Sequence, residues 1–318
     1  MINFFFILFF LNFLFFLFEK KISYFINVYD YPDNNRKLHK NKVSLVGGFF
    51  FYFNFLAISF FNPELKLDYF IFIIFSSIFF IIGFYDDKKQ INANVKFFIL
   101  SLIIIFFIFF NKKLTLGQIT VGDYQLNISH PISIFFTTLC ILLFINAYNM
   151  FDGINLQNFF YTSFILIIFF FKNFDTYLVL SLLIANFFFG FLNLKNRIFL
   201  GNSGTLFNGF LISILTIYFY IEKRLFVDEI FVIMMLPGID MLRLFFQRIF
   251  KKKHPFLPDR LHVHHLLMNI YGHGLSIIIL QAMCIFPYFF YLLIGYKVIF
   301  FFIIFYFFFI NFLLRKNS

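Results

Sequence analysis

The sequence contains no tryptophan, two cysteines and only 13% charged residues among its 318. Each shortage excludes something. Soluble domains carry roughly 25% Asp, Glu, Lys and Arg, so about half of the usual solvating charge is missing and an ordinary soluble domain is excluded. Cys140 and Cys284 both fall inside apolar runs, which argues against a disulfide framework and against a cysteine metal site. The first apolar segment has no basic residue ahead of it and lacks a small-residue cleavage site, so it reads as a retained helix rather than a cleaved leader. Internal repeats and linkers are missing too, and residues 1–318 read as one polytopic membrane domain. Phenylalanine is what abounds. Its 65 residues cluster as in Phe4–Phe18 and Phe300–Phe309, too many for one globular core, and we attach no function to the excess.

Apolar runs long enough to cross a bilayer as helices lie at about 2–18, 44–61, 69–84, 96–110, 132–148, 158–171, 176–192, 205–221, 230–246, 275–293 and 297–314. The expected fold is therefore all-α and integral to the membrane, with about eleven transmembrane helices. Eleven crossings sort the loops into two sets. Most of the 26 Lys and Arg residues belong to the set holding 19–43, 85–95, 149–157, 193–204, 247–274 and the C-terminal tail. Positive charge marks the cytoplasmic side, which predicts a cytoplasmic C-terminus and an external N-terminus. The net charge of +11 then reports topology and an acidic lipid surface, not nucleic acid. One external loop is long. Within Asn111–Pro131, TLGQITVGDYQLNIS alternates about Gly122-Asp123 and predicts a small external β-hairpin lying on the membrane.

Unusual polar residues collect in the cytoplasmic set, with six of the seven histidines. A transporter would place such groups near the bilayer midplane, whereas here they stand at helix ends on one side. Asp86 and Asp87 are adjacent carboxylates, which repel unless a cation or a basic side chain shares them. The bland reading is a solvated helix end beside Lys88 and Lys89. A shared Mg2+ suits them better, since that ion takes oxygen ligands, typically one or two carboxylates plus substrate phosphates. In FINAYNMFDGINLQ the polar residues Asn146, Asn149, Asp152 and Asn155 recur every three positions. That stride predicts a slanting polar ladder over the last helical turns. Inter-helix hydrogen bonding would explain the Asn residues, but a carboxylate at the membrane edge is expensive unless it binds something. The segment DRLHVHH (Arg260, His262, His264, His265), after a run of three Lys, is dense in donors suited to phosphate oxygens. The zinc-protease pattern HExxH is absent. GNSGT (201–205) opens a helix where backbone N–H groups could meet an anion. Together these features point to phosphoryl transfer between a soluble nucleotide and a lipid.

These motifs resemble the polyprenyl-phosphate N-acetylhexosamine-1-phosphate transferases, a family of integral membrane enzymes of the glycosyltransferase 4 type. The similarity runs in order from Asp30 to about His265. It comprises DYPDNNRKLH, Gly47-Gly48, GFYDD with Lys96 nine residues on, NAYNMFDGIN, RIFLGNSG and PDRLHVHHLL. The last motif resembles the branch that uses UDP-GlcNAc-like donors to begin O-antigen and related polymers. The peptidoglycan branch, which transfers phospho-MurNAc-pentapeptide, is the alternative, and a transporter or an inactive scaffold are rivals of other classes. The chain departs from the family at Asn202, where an Asp is usual; at Leu156-Gln157, where Gly-Leu follows DGIN; and at Leu100, where a Gln is usual.

The resemblance implies transfer of a sugar 1-phosphate from a UDP-sugar to undecaprenyl phosphate, with release of UMP. It implies Mg2+, or Mn2+ in its place, held by Asp152 with Asp86 or Asp87, and a catalytic set of Asp86, Asp87, Asp152 and His264. Arg36, Lys37, Lys96, Asn149, Asn155, Arg260, His262 and His265 are the expected substrate-binding residues. The expected setting is the inner (plasma) membrane with the active site on its cytoplasmic face, the bilayer and the two substrates as partners, and a homodimer as the assembly to test.

Overall fold

The computed structural model describes residues 2–32, 41–61, 67–121, 124–173, 176–255 and 259–317. In chain order the helices are α1 (Ile2–Ile26), α2 (Gly47–Phe61), α3 (Leu67–Lys88), α4 (Ala93–Phe110), α5 (His130–Met150), α6 (Gln157–Phe171), α7 (Thr176–Leu194), α8 (Gly201–Ile221), α9 (Val227–Phe250), α10 (Val263–Ile294) and α11 (Lys297–Asn317). Among the described residues, seven helices are long and apolar enough to cross a membrane: α3, α4, α5, α7, α8, α10 and α11. The chain is an all-α membrane protein. In hydrocarbon every backbone polar group must be satisfied within the segment, so long apolar runs become helices.

α8 is the axis, buried along nearly its whole length and packed by α2, α3 and α5. Aromatic rings fill the seams. Phe79 of α3 stacks on Phe210 of α8 at 4.2 Å between ring centroids, and Phe207 meets the edges of Phe55 and Tyr52 from α2. Many other Phe side chains, such as Phe60, Phe98, Phe109 and Phe301, point outward, as suits a surface solvated by lipid. Polar groups inside the bundle pair with one another: Asn12 of α1 and Asn54 of α2 exchange side-chain hydrogen bonds of 2.9 and 2.8 Å. Leu100, where the family has Gln, is buried in the apolar core.

Three features position the site. Helices extend past the apolar runs into the motifs: α3 carries Asp86 and Asp87 in its last turn, α8 begins at Gly201, and α10 begins inside HVHH. α10 breaks at Gly272, whose φ of 69° and ψ of −179° interrupt the helix. Finally, two-residue strands β1 (Tyr29–Asp30) and β2 (Val43–Ser44) pair antiparallel, and Ser44 bridges Ile198. Phe199 donates its N–H to the Ser44 carbonyl at 2.8 Å, while Gly47 and Gly48 donate theirs to Phe199 and Leu200. The segment before α8 is thereby tied to the loop that follows α1. A second antiparallel pair, β3 (Gln118–Val121) with β4 (Tyr124–Asn127), lies between α4 and α5.

Candidate active site

Gly201 opens α8 with φ of 72°, the left-handed region that favours glycine. A Cβ there would also come within 2.7 Å of Asp87 Oδ2. Asp87 reaches across from α3 and accepts the N–H groups of Asn202 at 2.7 Å and Ser203 at 2.9 Å. The N-terminus of α8, which the sequence offered to an external anion, therefore already holds one. A carboxylate of the chain itself satisfies its orphan donors and its positive dipole end.

The polar stride of the fifth helix divides in two. α5 ends at Met150, so only Asn146 and Asn149 stand on helix, and the ladder expected to continue through Asp152 does not form. Asn146 bonds within its own helix, donating to the Leu142 carbonyl at 2.7 Å. Asn149 crosses to α8, donating to Asn202 Oδ1 at 3.0 Å and to Thr205 Oγ1 at 2.5 Å. Asn202 thus supplies Asn149 with the oxygen acceptor that the family's Asp would offer, without the charge. Asp152 and Asn155 follow in the connecting loop. Asn155 donates to Asn196 Oδ1 at 2.5 Å, and its carbonyl lies 3.1 Å from His273 Nε2. Leu156 then turns the chain into α6 with φ of 66°. That positive φ is the backbone reason for the glycine usual in the family.

These residues surround a cavity of about 650 Å3, lined by Asp30, Asp87, Asn149, Asp152, Asn155, Asn193, Asn196, Asn202, Thr205, His265 and His273 together with apolar side chains. Three of its described lining residues are carboxylates, and none is Lys or Arg. Among the described residues the Asp152 carboxylate has neither a hydrogen bond nor an ion pair. Burial pushes its pKa up to about 7, and the charge of Asp87 adds to the rise. Two neighbouring carboxylates without a fixed cation among the described lining residues are a donor set that would suit a divalent ion. The described residues form no cluster of three or more His, Cys, Asp or Glu able to hold a metal by themselves.

The histidines occupy distinct places. His262 caps α10, and its Nδ1 lies 2.7 Å from Asp240 Oδ2 on α9. Asp240 Oδ1 accepts from Arg243 Nη2 at 2.8 Å and from the Tyr306 hydroxyl of α11 at 2.7 Å, and Arg243 also reaches the Leu261 carbonyl. The His264 ring lies parallel to His262 with centroids 5.4 Å apart. It is buried directly against Gly153, where an added Cβ would clash with Nε2 at 1.9 Å. Glycine beside Asp152 is what lets this imidazole approach the loop. His265 turns into the cavity.

Other expected site residues stand elsewhere. Asp86 accepts from Ile91 N at 2.7 Å and pairs with Lys96 at 2.9 Å, joining α3 to α4; neither residue lines the cavity. Arg260 is exposed and also outside the lining. Arg36 and Lys37 lie outside the described residues. Sequence reasoning missed Asn193, Asn196, Thr205, His273 and, above all, Asp240. An Asp three residues before an Arg inside an apolar run was the available signal for Asp240, because such charges persist in a membrane only when paired.

Residues 69–220 match the profile of "Glycosyl transferase family 4". The chain is 26% identical over 273 residues to the undecaprenyl-phosphate alpha-N-acetylglucosaminyl 1-phosphate transferase of Salmonella typhi, covering 80% of this chain and 73% of that protein. The protein of the same name from Thermotoga maritima is 27% identical over 271 residues, covering 84% and 80%. A probable undecaprenyl-phosphate N-acetylglucosaminyl 1-phosphate transferase of Bacillus subtilis is 26% identical over 278 residues, covering 83% and 76%.

Proposed function

We propose that this chain is a glycosyl transferase of family 4 that transfers a sugar 1-phosphate, N-acetylglucosamine-like, from a UDP-sugar to undecaprenyl phosphate. The bond that forms joins a lipid-phosphate oxygen to the phosphorus bearing the sugar. The bond that breaks joins that phosphorus to the bridging oxygen, which departs with UMP. The observation that carries the proposal is a cavity holding Asp87 and Asp152 with no Lys or Arg among its described lining residues. Such a cavity accepts a diphosphate only together with a cation. Asp87 and Asp152 would hold Mg2+, which would supply charge neutralisation for the diphosphate and the departing UMP.

The protein's own groups do the rest. Asp87, fixed by two backbone N–H groups, is a rigid carboxylate. Asn149, clamped to Asn202 and Thr205, fixes the end of α5 from which the Asp152 loop departs. His265, in the cavity lining, offers a donor to phosphate oxygens, and His264 packs buried against Gly153 beside Asp152. Because the lipid phosphate is already ionised near neutral pH, a strong general base is unnecessary. The concentration of Lys and Arg in the loops on this side supports a cytoplasmic, nucleotide-facing cavity in the inner membrane.

The test is UMP release by purified protein in detergent with undecaprenyl phosphate and Mg2+, offering UDP-GlcNAc beside UDP-MurNAc-pentapeptide. Release with UDP-GlcNAc alone is expected. Release only with the pentapeptide donor moves the chain to the peptidoglycan branch, and silence with every UDP-hexosamine overturns the enzyme reading.

A further inference from the structure

The paired strands between α4 and α5 sort their side chains by polarity. The register sets Ile119 opposite Leu126 and Val121 opposite Tyr124, while Gln118 faces Asn127 and Thr120 faces Gln125. In a strand, alternate residues share a face. One face of this two-stranded unit is therefore built at apolar positions (119, 124, 126) and the other at polar ones (118, 120, 125, 127). A side-chain bond across the polar face, Gln118 Nε2 to Gln125 Oε1 at 3.1 Å, agrees with the sorting. None of the eight residues is charged.

The apolar positions of the outer strand are not packed on protein: Leu126 is 62% exposed and Tyr124 is 84% exposed. The inner strand is held in place. Tyr220, at the end of α8, donates its hydroxyl to the Gln118 carbonyl at 2.8 Å and accepts the Thr120 N–H at 3.1 Å, covering the open edge of β3. At its base, Leu116 N donates to Thr137 Oγ1 of α5 at 2.9 Å. Both ends of the unit run into bilayer-crossing helices, α4 ending at Phe110 and α5 beginning at His130. The adjoining ends of those helices also expose rings and aliphatics, among them Phe109, Phe110, Ile132 and Phe135. Lys112 lies over the Phe109 ring, 5.6 Å from its centroid, an arrangement suited to the level where hydrocarbon meets headgroups.

We propose that this amphipathic pair of strands is a membrane-interface anchor whose Leu126 and Tyr124 face enters the adjoining lipid leaflet while the Gln118, Gln125 and Asn127 face stays in water. The occupant of the exposed apolar face is lipid, because the strands join directly to the exposed apolar ends of two candidate membrane-spanning helices and the face carries no charge to recognise a polar partner. The anchor holds the far end of α8 through Tyr220, the same helix whose other end accepts Asp87.

The absence of tryptophan makes the test direct, since a single introduced Trp is the only one in the protein. Leu126→Trp and Gln125→Trp, adjacent residues on opposite faces, are reconstituted separately into vesicles with phospholipids brominated near the headgroup end of the acyl chain or near its terminus. Trp at 126 is expected to emit blue-shifted and to lose emission mainly to the shallow bromines. Trp at 125 is expected to emit like a water-exposed indole and to lose little. Tyr124→Trp repeats the first result should the Leu126 variant not fold. Equal quenching at 125 and 126, no quenching at either, or a blue shift at 126 and 124 without bromine quenching, which would mean a protein-covered face, overturns the proposal. The readout is independent of any transferase activity.

Discussion

Asp86 and Asp87 are neighbours in sequence with opposite fates. Successive residues on a helix point about 100° apart, so Asp86 turns toward α4 and Lys96 while Asp87 turns toward α8 and the cavity. The sequence exposed the pair but not its division, because the division depends on which helices flank α3. Asp152 is the complementary case, legible from its place at the end of an apolar run. Its raised pKa sets a pH dependence. The folded chain without divalent ion holds a proton on Asp152 more tightly than the unfolded chain, whose carboxyl has an ordinary pKa near 4. Its contribution to stability is therefore best below about pH 4 and is lost as pH rises toward about 7. Thermal melts in chelator should show this component of the slope, and Asp152→Asn should remove it. The account fails here if the mutant keeps the full slope. A second residue-scale prediction concerns Asn202. Asn202→Asp retains the acceptor for Asn149 and adds a charge beside Asp87, so the Mg2+ concentration needed for half-maximal stabilisation against heat should fall. An unchanged or higher requirement would mean that position 202 does not face the ion.

At the scale of elements, the apolar runs located the helices well because burial in lipid leaves the backbone no alternative. Their ends were less legible, because end positions depend on partners distant in sequence. α10 starts inside HVHH because His262 is held by Asp240 of α9, which in turn accepts from the Tyr306 hydroxyl of α11. This buried junction ties three helices to the histidine motif. Removing its charge with Asp240→Ala leaves Arg243 without its buried carboxylate partner. A buried charge left unpaired typically costs about 3–5 kcal/mol, so the variant should melt far below the wild type in detergent. A melt within error of the wild type would contradict the junction. The loop after α5 makes a milder claim. A leucine in the left-handed region costs roughly 1–2 kcal/mol, and the packing of Leu156 offsets part of it. Leu156→Gly should therefore stay within about 1 kcal/mol of the wild type, whereas Leu156→Val, branched at Cβ, should lose more than that. The reverse order in melting temperature would be evidence against the turn as described.

At the scale of the whole molecule, the fold gathers onto one end of the bundle residues from α3, α5, α7, α8 and α10 that lie far apart in the chain. The order of motifs, read along the sequence, gave the family resemblance; only the packing of α7 against α6 and of α8 against α3 and α5 shows that Asn193, Asn196 and Thr205 share their cavity. The proposed cytoplasmic placement of that end predicts labelling sides. In a cysteine-free background, Lys252→Cys should react with an impermeant maleimide only in inverted vesicles, and Lys113→Cys only in intact cells. The opposite pattern would place the cavity outside.

The central claim is that the cavity holding Asp87 and Asp152 is where transfer occurs. It is tested most directly by the rate of UMP release from UDP-GlcNAc with undecaprenyl phosphate and Mg2+, compared between Asp152→Asn and Asn146→Ala, two members of one sequence stripe of which only Asp152 lines the cavity. Losing one preorganised electrostatic contact to a transition state costs on the order of 100- to 1,000-fold in rate. The account predicts a loss of that size for Asp152→Asn and a rate close to wild type for Asn146→Ala. A folded Asp152→Asn protein that releases UMP at the wild-type rate would contradict it.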